Sequence, residues 1–569
     1  MGKSFIRFIQ NSFKEISPLE NIKALNTNIR ADILSGITVA IIALPLALAF
    51  GEMSQLGPKA GIWGAIVGGI VGGLFGGCMV GVSGPTAPKA AQISMFMGAF
   101  VISSTEDPEL AAFSIIFLSG LILIALSMLK ISRFIHYTPY PVVAGFMCGI
   151  GVIVIITQIN AFIGLDAAKS IHDVFLDSGN KEINWQALYV SIPSLFILFF
   201  WSSFEEKFKI LTKIPSPLVA LIVGSGIAYF MNLKIPYIGD NMASEDDKIF
   251  SFITPDLSQL GDFIGPAFAL AGLAILDSLL SCKVADNMTG TRHSSDRETF
   301  GQGMANMAAG LFGGVTTATA TMRTVANIKF GGKTPLASIV HGLTLLAILS
   351  GLSFLVVAIP TACLAAILFK VGVDILDYRI LPVLRKLPIM DLLVFIIVLF
   401  VTVYADLLIA VAIGVLFAFL KSFKEVISVS SSTYQHKSTP VSKTDFYIKG
   451  NNQKILDSLS VNVLQPQGPL FFASIESVIE SYNSSLKHEV LIIDMSNVTM
   501  IDLSGAYALE DIVENARSKN IKVYLSNASI QIKEVLEKTD VLRHIGLDYY
   551  SDSKQTTISN IAKYYQNHK

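Results

Sequence analysis

The 569-residue chain is 52% hydrophobic and only 15% charged, with a mean hydropathy of +0.59. Soluble domains carry about a quarter of their residues as charges, so this composition excludes an ordinary soluble protein and points to a lipid bilayer. The net charge of -1 carries little information beside the uneven placement of the charges, and no nucleic-acid partner is expected.

Residues 1–30 are amphipathic and basic, without an uninterrupted apolar core or a small-residue cleavage site, and read as a cytoplasmic segment with no secretory signal. Residues 31–423 are a succession of apolar runs, about fourteen of them long enough to cross a bilayer at the usual helical rise. Those starting near Gly84 and Thr319 are short and interrupted by Gly, Pro or hydroxylated residues. Basic residues recur at Lys130/Arg133, Lys207/Lys209/Lys213, Lys283/Arg292/Arg297 and Arg379/Arg385/Lys386, which marks those loops as cytoplasmic. With an even number of spans both termini lie in the cytoplasm, as expected for a bacterial inner (plasma) membrane protein. Residues 424–445 form a polar linker, and residues 446–569 carry a soluble α/β pattern: strands around residues 461–474, 489–495 and 521–527, helices around 474–485, 504–520 and 530–542.

Cys78, Cys148, Cys282 and Cys363 fall in or beside apolar runs and form no CxxC pair, so they read as reduced, packed thiols. No hydrolytic triad, metal-ligand cluster or phosphate-cradling glycine loop is present, which argues against an enzyme and against ATP-driven transport.

"GGLFGGCMVGVSGPTAP" begins at Gly72 and "AGLFGGVTTATATMRT" at Ala309. A shared pentapeptide before two clusters of small and hydroxylated residues suggests a duplicated half. Seven spans per half would invert the second copy and bring two half-helices together at the bilayer midplane. Facing helix N-termini offer unpaired N–H groups and about half a positive charge each, enough for an anion site without a basic side chain. Ser83 and Thr86 are candidate caps or ligands in the first copy, beside Gly84, Pro85 and Pro88; Thr319, Ala320 and Thr321 hold the matching place in the second. Tight helix packing explains either copy alone, but not the pair in matching positions. Asp277 sits in an otherwise apolar run, where a carboxylate costs about 2.5–3.5 kcal/mol and is usually retained for function. Ser281, one turn on, shares its face, and the two suit a cation.

These residues resemble the SulP anion transporters, which include sulfate permeases, bicarbonate transporters and the prestin and pendrin type. The resemblance runs over nearly the whole chain: "ADILSGITVAIIALPLALAFG", "SGPTAP", "PVVAGFMCGIGVIVIITQI", "HGLTLLAILSGLSFLVVAIPTACLAAIL" and "DLLIAVAIGVLFAFL" look like successive family signatures, and the C-terminal domain resembles the STAS module. "LDSLLSCKVADNMTGTRHSSDRETFGQGMANMAAGLFGG" looks most like the cyanobacterial-type sodium-dependent bicarbonate transporters. The resemblance implies a sodium site at Asp277, Ser281, Thr319, Ala320 and Thr321. It implies an anion bordered by Ala43, Leu44 and Pro45 of the first span and by Ser83, Thr86, Ala87, Ala320 and Thr321, with Lys89 and Arg323 as further candidates. Sodium is the coupling ion and no other cofactor is implied.

Two departures stand out. Thr316 and Thr317 replace the family's usual Pro and Gly, and Lys89 stands where an apolar residue is usual. Lys89 either draws in a more highly charged anion, substitutes for the cation, or turns away to polar surroundings. In "MIDLSG", Ser504 holds the place that is phosphorylated in the related anti-sigma-factor antagonists, and otherwise caps its helix. The leading expectation is sodium-coupled bicarbonate symport by alternating access in a homodimer, with the STAS domain as the candidate site of a cytoplasmic regulator. Sulfate or another anion, proton-coupled or exchanging, is the alternative, ahead of a channel or an anion sensor.

Overall fold

The computed structural model describes residues 16–102, 107–132, 139–165, 174, 183–207, 214–242, 252–351, 357–376, 380–404, 413, 437–446, 459–471, 478–479, 482, 488–546 and 549–567. The chain divides into two compact units, residues 1–135 with 148–376, and residues 136–147 with 377–569.

The first unit is helical. Leaving out single turns, its first half runs α1 (Ile29–Met53), α2 (Gly57–Val67), α3 (Ala87–Ile102), α4 (Pro108–Met128), α5 (Tyr140–Thr157, shared with the second unit), α6 (Trp185–Lys207) and α7 (Ser216–Phe230). The second half begins again with α8 (Leu260–Thr289), α9 (Ser295–Leu311), α10 (Thr321–Lys329), α11 (Pro335–Gly351) and α12 (Thr361–Ile375). Among the described residues five helices are long and apolar enough to cross a membrane: α1, Gly57–Phe75, α4, α5 and Leu260–Asp286. α13 (Ile389–Tyr404) is the sixth helix of the second half; the expected last span lies outside the described residues. The order is consistent with seven plus seven, and the third helix of each half follows a two-residue strand.

Those strands, β1 (Ser83–Gly84) and β2 (Ala318–Thr319), pair antiparallel with Ser83 opposite Thr319 and Gly84 opposite Ala318. Each breaks a span, and their mutual ladder satisfies backbone groups that lipid could not. The repeated pentapeptide makes the crossing possible. A Cβ on Gly77 would stand 2.1 Å from the Ser294 carbonyl oxygen, and one on Gly314 would stand 2.8 Å from the Gly64 nitrogen. α2 prolongs through a π-helical stretch, Gly68–Gly72, into Gly73–Phe75. Its end is closed by Asn21, whose amide donates to the carbonyls of Gly73, Leu74 and Gly76 at 3.1, 2.9 and 2.8 Å. Large apolar side chains face outward, among them Leu34 on α1, Phe196 on α6 and Phe230 on α7, while Lys89, Glu298 and Arg323 lie inside. That inversion suits a protein whose outer solvent is lipid. All four cysteines are free and buried.

The second unit holds α13 and the STAS fold. Its sheet runs β3 (Lys437–Pro440), β4 (Val461–Gln465), β6 (Val490–Asp494), β8 (Lys522–Ser526) and β9 (Tyr550–Ser551) in that spatial order, all neighbours parallel except β3 with β4. β5 (Gly468–Leu470) pairs separately with β7 (Val498–Ile501). β3 falls within the segment read as linker, so the sheet takes in part of it. Val463, Val490, Ile492 and Tyr524 pack beneath Ile558 and Ile561 of the C-terminal helix, Lys554–Asn567. The helix expected over 474–485 lies mostly outside the described residues. The one expected over 530–542 ends at Lys538, because Asp540 takes a left-handed conformation (φ 59°) that a helix cannot continue through.

Candidate functional site

α3 begins three residues after β1 and α10 two residues after β2, so their N-termini converge on the crossing. α1 packs against both. Its residues Ala43 and Pro45 are buried and Leu44 half-buried, and Pro45 removes a backbone donor from the helix at this level. Ala87 opens α3, and Ala320 is the N-cap of α10, donating its N–H to the Val82 carbonyl at 3.0 Å.

α8 brings three side chains to the crossing. Ser278 Oγ accepts the Thr319 N–H at 3.1 Å, Ser281 and Thr321 share a hydroxyl hydrogen bond of 2.7 Å, and Asp277 is half-buried between them and α3. Asp277 lies a dozen residues before the end of α8, well away from its terminus. Thr86 neighbours Asp277, but neither its hydroxyl nor Asp277 Oδ2 has a hydrogen-bond partner. Lys89, fully buried on α3, donates to the Thr317 carbonyl just before β2 and interacts electrostatically with Asp277. Its side chain therefore points into the crossing, not away.

Arg323, 1% exposed, lies with its guanidinium so close to Gly84 that a Cβ there would stand 1.9 Å from Nη1. None of its three nitrogens has a hydrogen-bond partner. Asp277 on α8 and His341 on α11, the latter fully buried with both ring nitrogens also unpartnered, are in its electrostatic neighbourhood. Buried donors are rarely left unmade, so Arg323 marks a place for an acceptor that the protein itself does not supply.

Sequence reasoning missed α9. Glu298 Oε2 accepts the N–H groups of Gly77 and Cys78 at 2.8 and 3.0 Å, and Oε1 accepts from the Thr319 hydroxyl. Gln302 Nε2 stands 2.7 Å from Ser83 Oγ and 2.9 Å from both Glu298 Oε1 and Thr319 Oγ1. Asn306 Oδ1 accepts from the Thr316 hydroxyl and the Thr317 N–H at 2.6 and 2.8 Å. The hydroxyls of Ser83, Thr316 and Thr319 thus face this polar spine, which fixes the crossing from behind. Glu298, Gln302 and Asn306 recur every fourth residue, a one-face helical spacing that was legible in "SDRETFGQGMAN".

The sulfate permease pattern matches residues 29–398 and the STAS pattern residues 455–556. The chain belongs to the sulfate permease family. It is therefore an anion transporter, not an enzyme. Bicarbonate transporters BicA of Picosynechococcus sp. and Synechocystis sp. are 33% and 34% identical to it, over 94% and 91% of this chain and 94% and 92% of theirs. The solved transmembrane domain of a cyanobacterial bicarbonate transporter BicA superposes with a TM-score of 0.61 at 34% identity, covering 68% of this chain and 97% of that one.

In this permease's second unit, Asp502 Oδ1 accepts the Gly505 N–H at 2.8 Å and so caps the helix Leu503–Ser518; Ser504 does not. Ser504 Oγ instead accepts the N–H of Tyr140 at 2.9 Å, at the start of α5, beside the ring contact of Tyr140 with Tyr507 (centroids 4.6 Å apart).

Proposed function

We propose that this permease imports bicarbonate together with sodium by alternating access. The unpartnered Arg323 guanidinium between two facing half-helix N-termini carries the reading, since guanidinium and backbone N–H groups together match a small planar oxyanion. Thr86, Ala87 and Ala320 border the anion, with Ala43, Leu44 and Pro45 of α1 across from them. Asp277, with its unpartnered Oδ2, and the Ser281–Thr321 hydroxyl pair supply hard oxygens for sodium, with Thr319 and Ala320 beside them at the crossing. Sodium is cargo in this scheme. Its entry with the anion cancels the charge of bicarbonate, which alone costs about 2.3 kcal/mol per 100 mV to bring into a negative cell. The similarity to two transporters named for bicarbonate supports the choice of anion. Sulfate is the second reading, favoured by the two buried cations Lys89 and Arg323. We further propose a bacterial inner-membrane homodimer with cytoplasmic termini, in which Ser504 is a candidate phosphosite.

The deciding experiment is uptake of labelled bicarbonate and labelled sulfate into proteoliposomes, with and without an inward sodium gradient, for the intact protein and Asp277→Asn. Sodium-driven bicarbonate uptake that disappears in Asp277→Asn is expected. Sulfate uptake indifferent to sodium would overturn the proposal.

A further inference from the structure

An ammonium group has three N–H donors. That of Lys89 gives one to the Thr317 carbonyl and has no other hydrogen-bond acceptor among the described residues. Asp277, with which it interacts, has a carboxylate oxygen, Oδ2, without a hydrogen-bond partner, the Thr86 hydroxyl standing beside the carboxyl group. The two sit on different helices, α3 and α8, at the point where the halves cross. A buried cation and a carboxylate with a buried oxygen, each with unused hydrogen-bonding capacity and each within the other's field, can complete one another by side-chain movement. The same Asp277 oxygen is the one a sodium ion would need.

We propose that the Lys89 ammonium is a tethered counter-ion of Asp277, taking turns with sodium at one carboxylate. This rests on the reading of Asp277 as the cation position. With sodium bound, the ammonium stays on the Thr317 carbonyl. With the site empty, it closes on Asp277 Oδ2 and keeps that carboxylate from being stranded while the carrier returns. Because Lys89 is attached to the chain, its local concentration far exceeds that of a solute at millimolar level, so sodium binds against a standing competitor. Arg323 also faces Asp277, but it lies against Gly84 on the anion side and has no backbone acceptor to retreat to.

The test is direct binding of radioactive sodium to the purified protein, beside sodium titrations of bicarbonate uptake in proteoliposomes. The variants are Lys89→Met, Lys89→Gln, Lys89→Arg and the double Lys89→Met with Asp277→Asn. Half-saturation by sodium is expected to fall about tenfold in Lys89→Met and Lys89→Gln, to stay near the intact value in Lys89→Arg, and to be lost in the double variant. Unchanged or weaker sodium binding in both neutral variants, with monodisperse elution and melting close to the intact protein, would overturn the proposal. Should the neutral variants misfold, Lys89→Arg decides: tenfold tighter sodium binding with the positive charge retained would overturn it. Sodium binding by Lys89→Met but not by the intact protein would uphold the competition while refuting sodium coupling of the natural carrier. No sodium binding by any variant would refute both.

Discussion

Glu298 and Arg323 are both buried charged side chains, 2% and 1% exposed, yet their surroundings are opposite. Every group that reaches Glu298 is a donor: two backbone N–H groups, an amide and a hydroxyl. Arg323 offers donors and receives no acceptor. One charge is spent on structure and the other is kept for a ligand, so their replacements separate stability from affinity. Glu298→Gln sets an amide donor against at least one other donor and should destabilise the protein by about 1–3 kcal/mol, read as a lower melting temperature in detergent. Arg323→Gln removes a buried charge that no hydrogen bond satisfies and that only the field of Asp277 offsets, so melting should change little while half-saturation by bicarbonate rises at least about tenfold. A large loss of stability in Arg323→Gln would make it a structural cation with a partner after all.

The broken spans were legible because a helix can end inside a membrane only where small, kinked or hydroxylated residues allow it, and "SGPTAP" and "TTATAT" contain little else. α9 was not legible as membrane structure, because Arg297, Glu298, Gln302 and Asn306 look like a solvated loop following the basic residues Lys283 and Arg292. Only packing reveals that Glu298, Gln302 and Asn306 turn inward to hold the crossing, while Arg297 pairs with Glu20. The same limit applies to β3, whose strand character depends on its partner β4 and not on its own polar residues. Close packing of the leading elements is strict: a Cβ on Gly61 of α2 would stand 1.9 Å from the Ala47 carbonyl oxygen of α1, a backbone atom that cannot step aside. Gly61→Ala should therefore separate α1 from α2 and cost about 1–3 kcal/mol or more. Its yield of monodisperse protein and its melting temperature should both drop, whereas Gly226→Ala, with open space around the new methyl, should match the intact protein.

For the whole carrier the decisive quantity is the charge that crosses the membrane in one cycle. Asp277, Lys89 and Arg323 belong to the protein and return with it, so with each in its ordinary charged form whatever charge they move through the field on the loaded step they move back on the empty step. Only cargo counts. One bicarbonate with one sodium adds nothing, and loaded and empty carriers then differ by no net charge. Bicarbonate alone would be accumulated about fifty-fold less at 100 mV inside-negative than at zero potential, because each elementary charge is worth about 2.3 kcal/mol per 100 mV. The two cases separate in proteoliposomes whose potential is clamped by a potassium gradient and an ionophore, under a constant sodium gradient. Steady-state bicarbonate accumulation is expected to change by less than about twofold between the two potentials. A loss approaching fifty-fold would mean that the anion travels without its cation, and Asp277 would then be serving Lys89 alone.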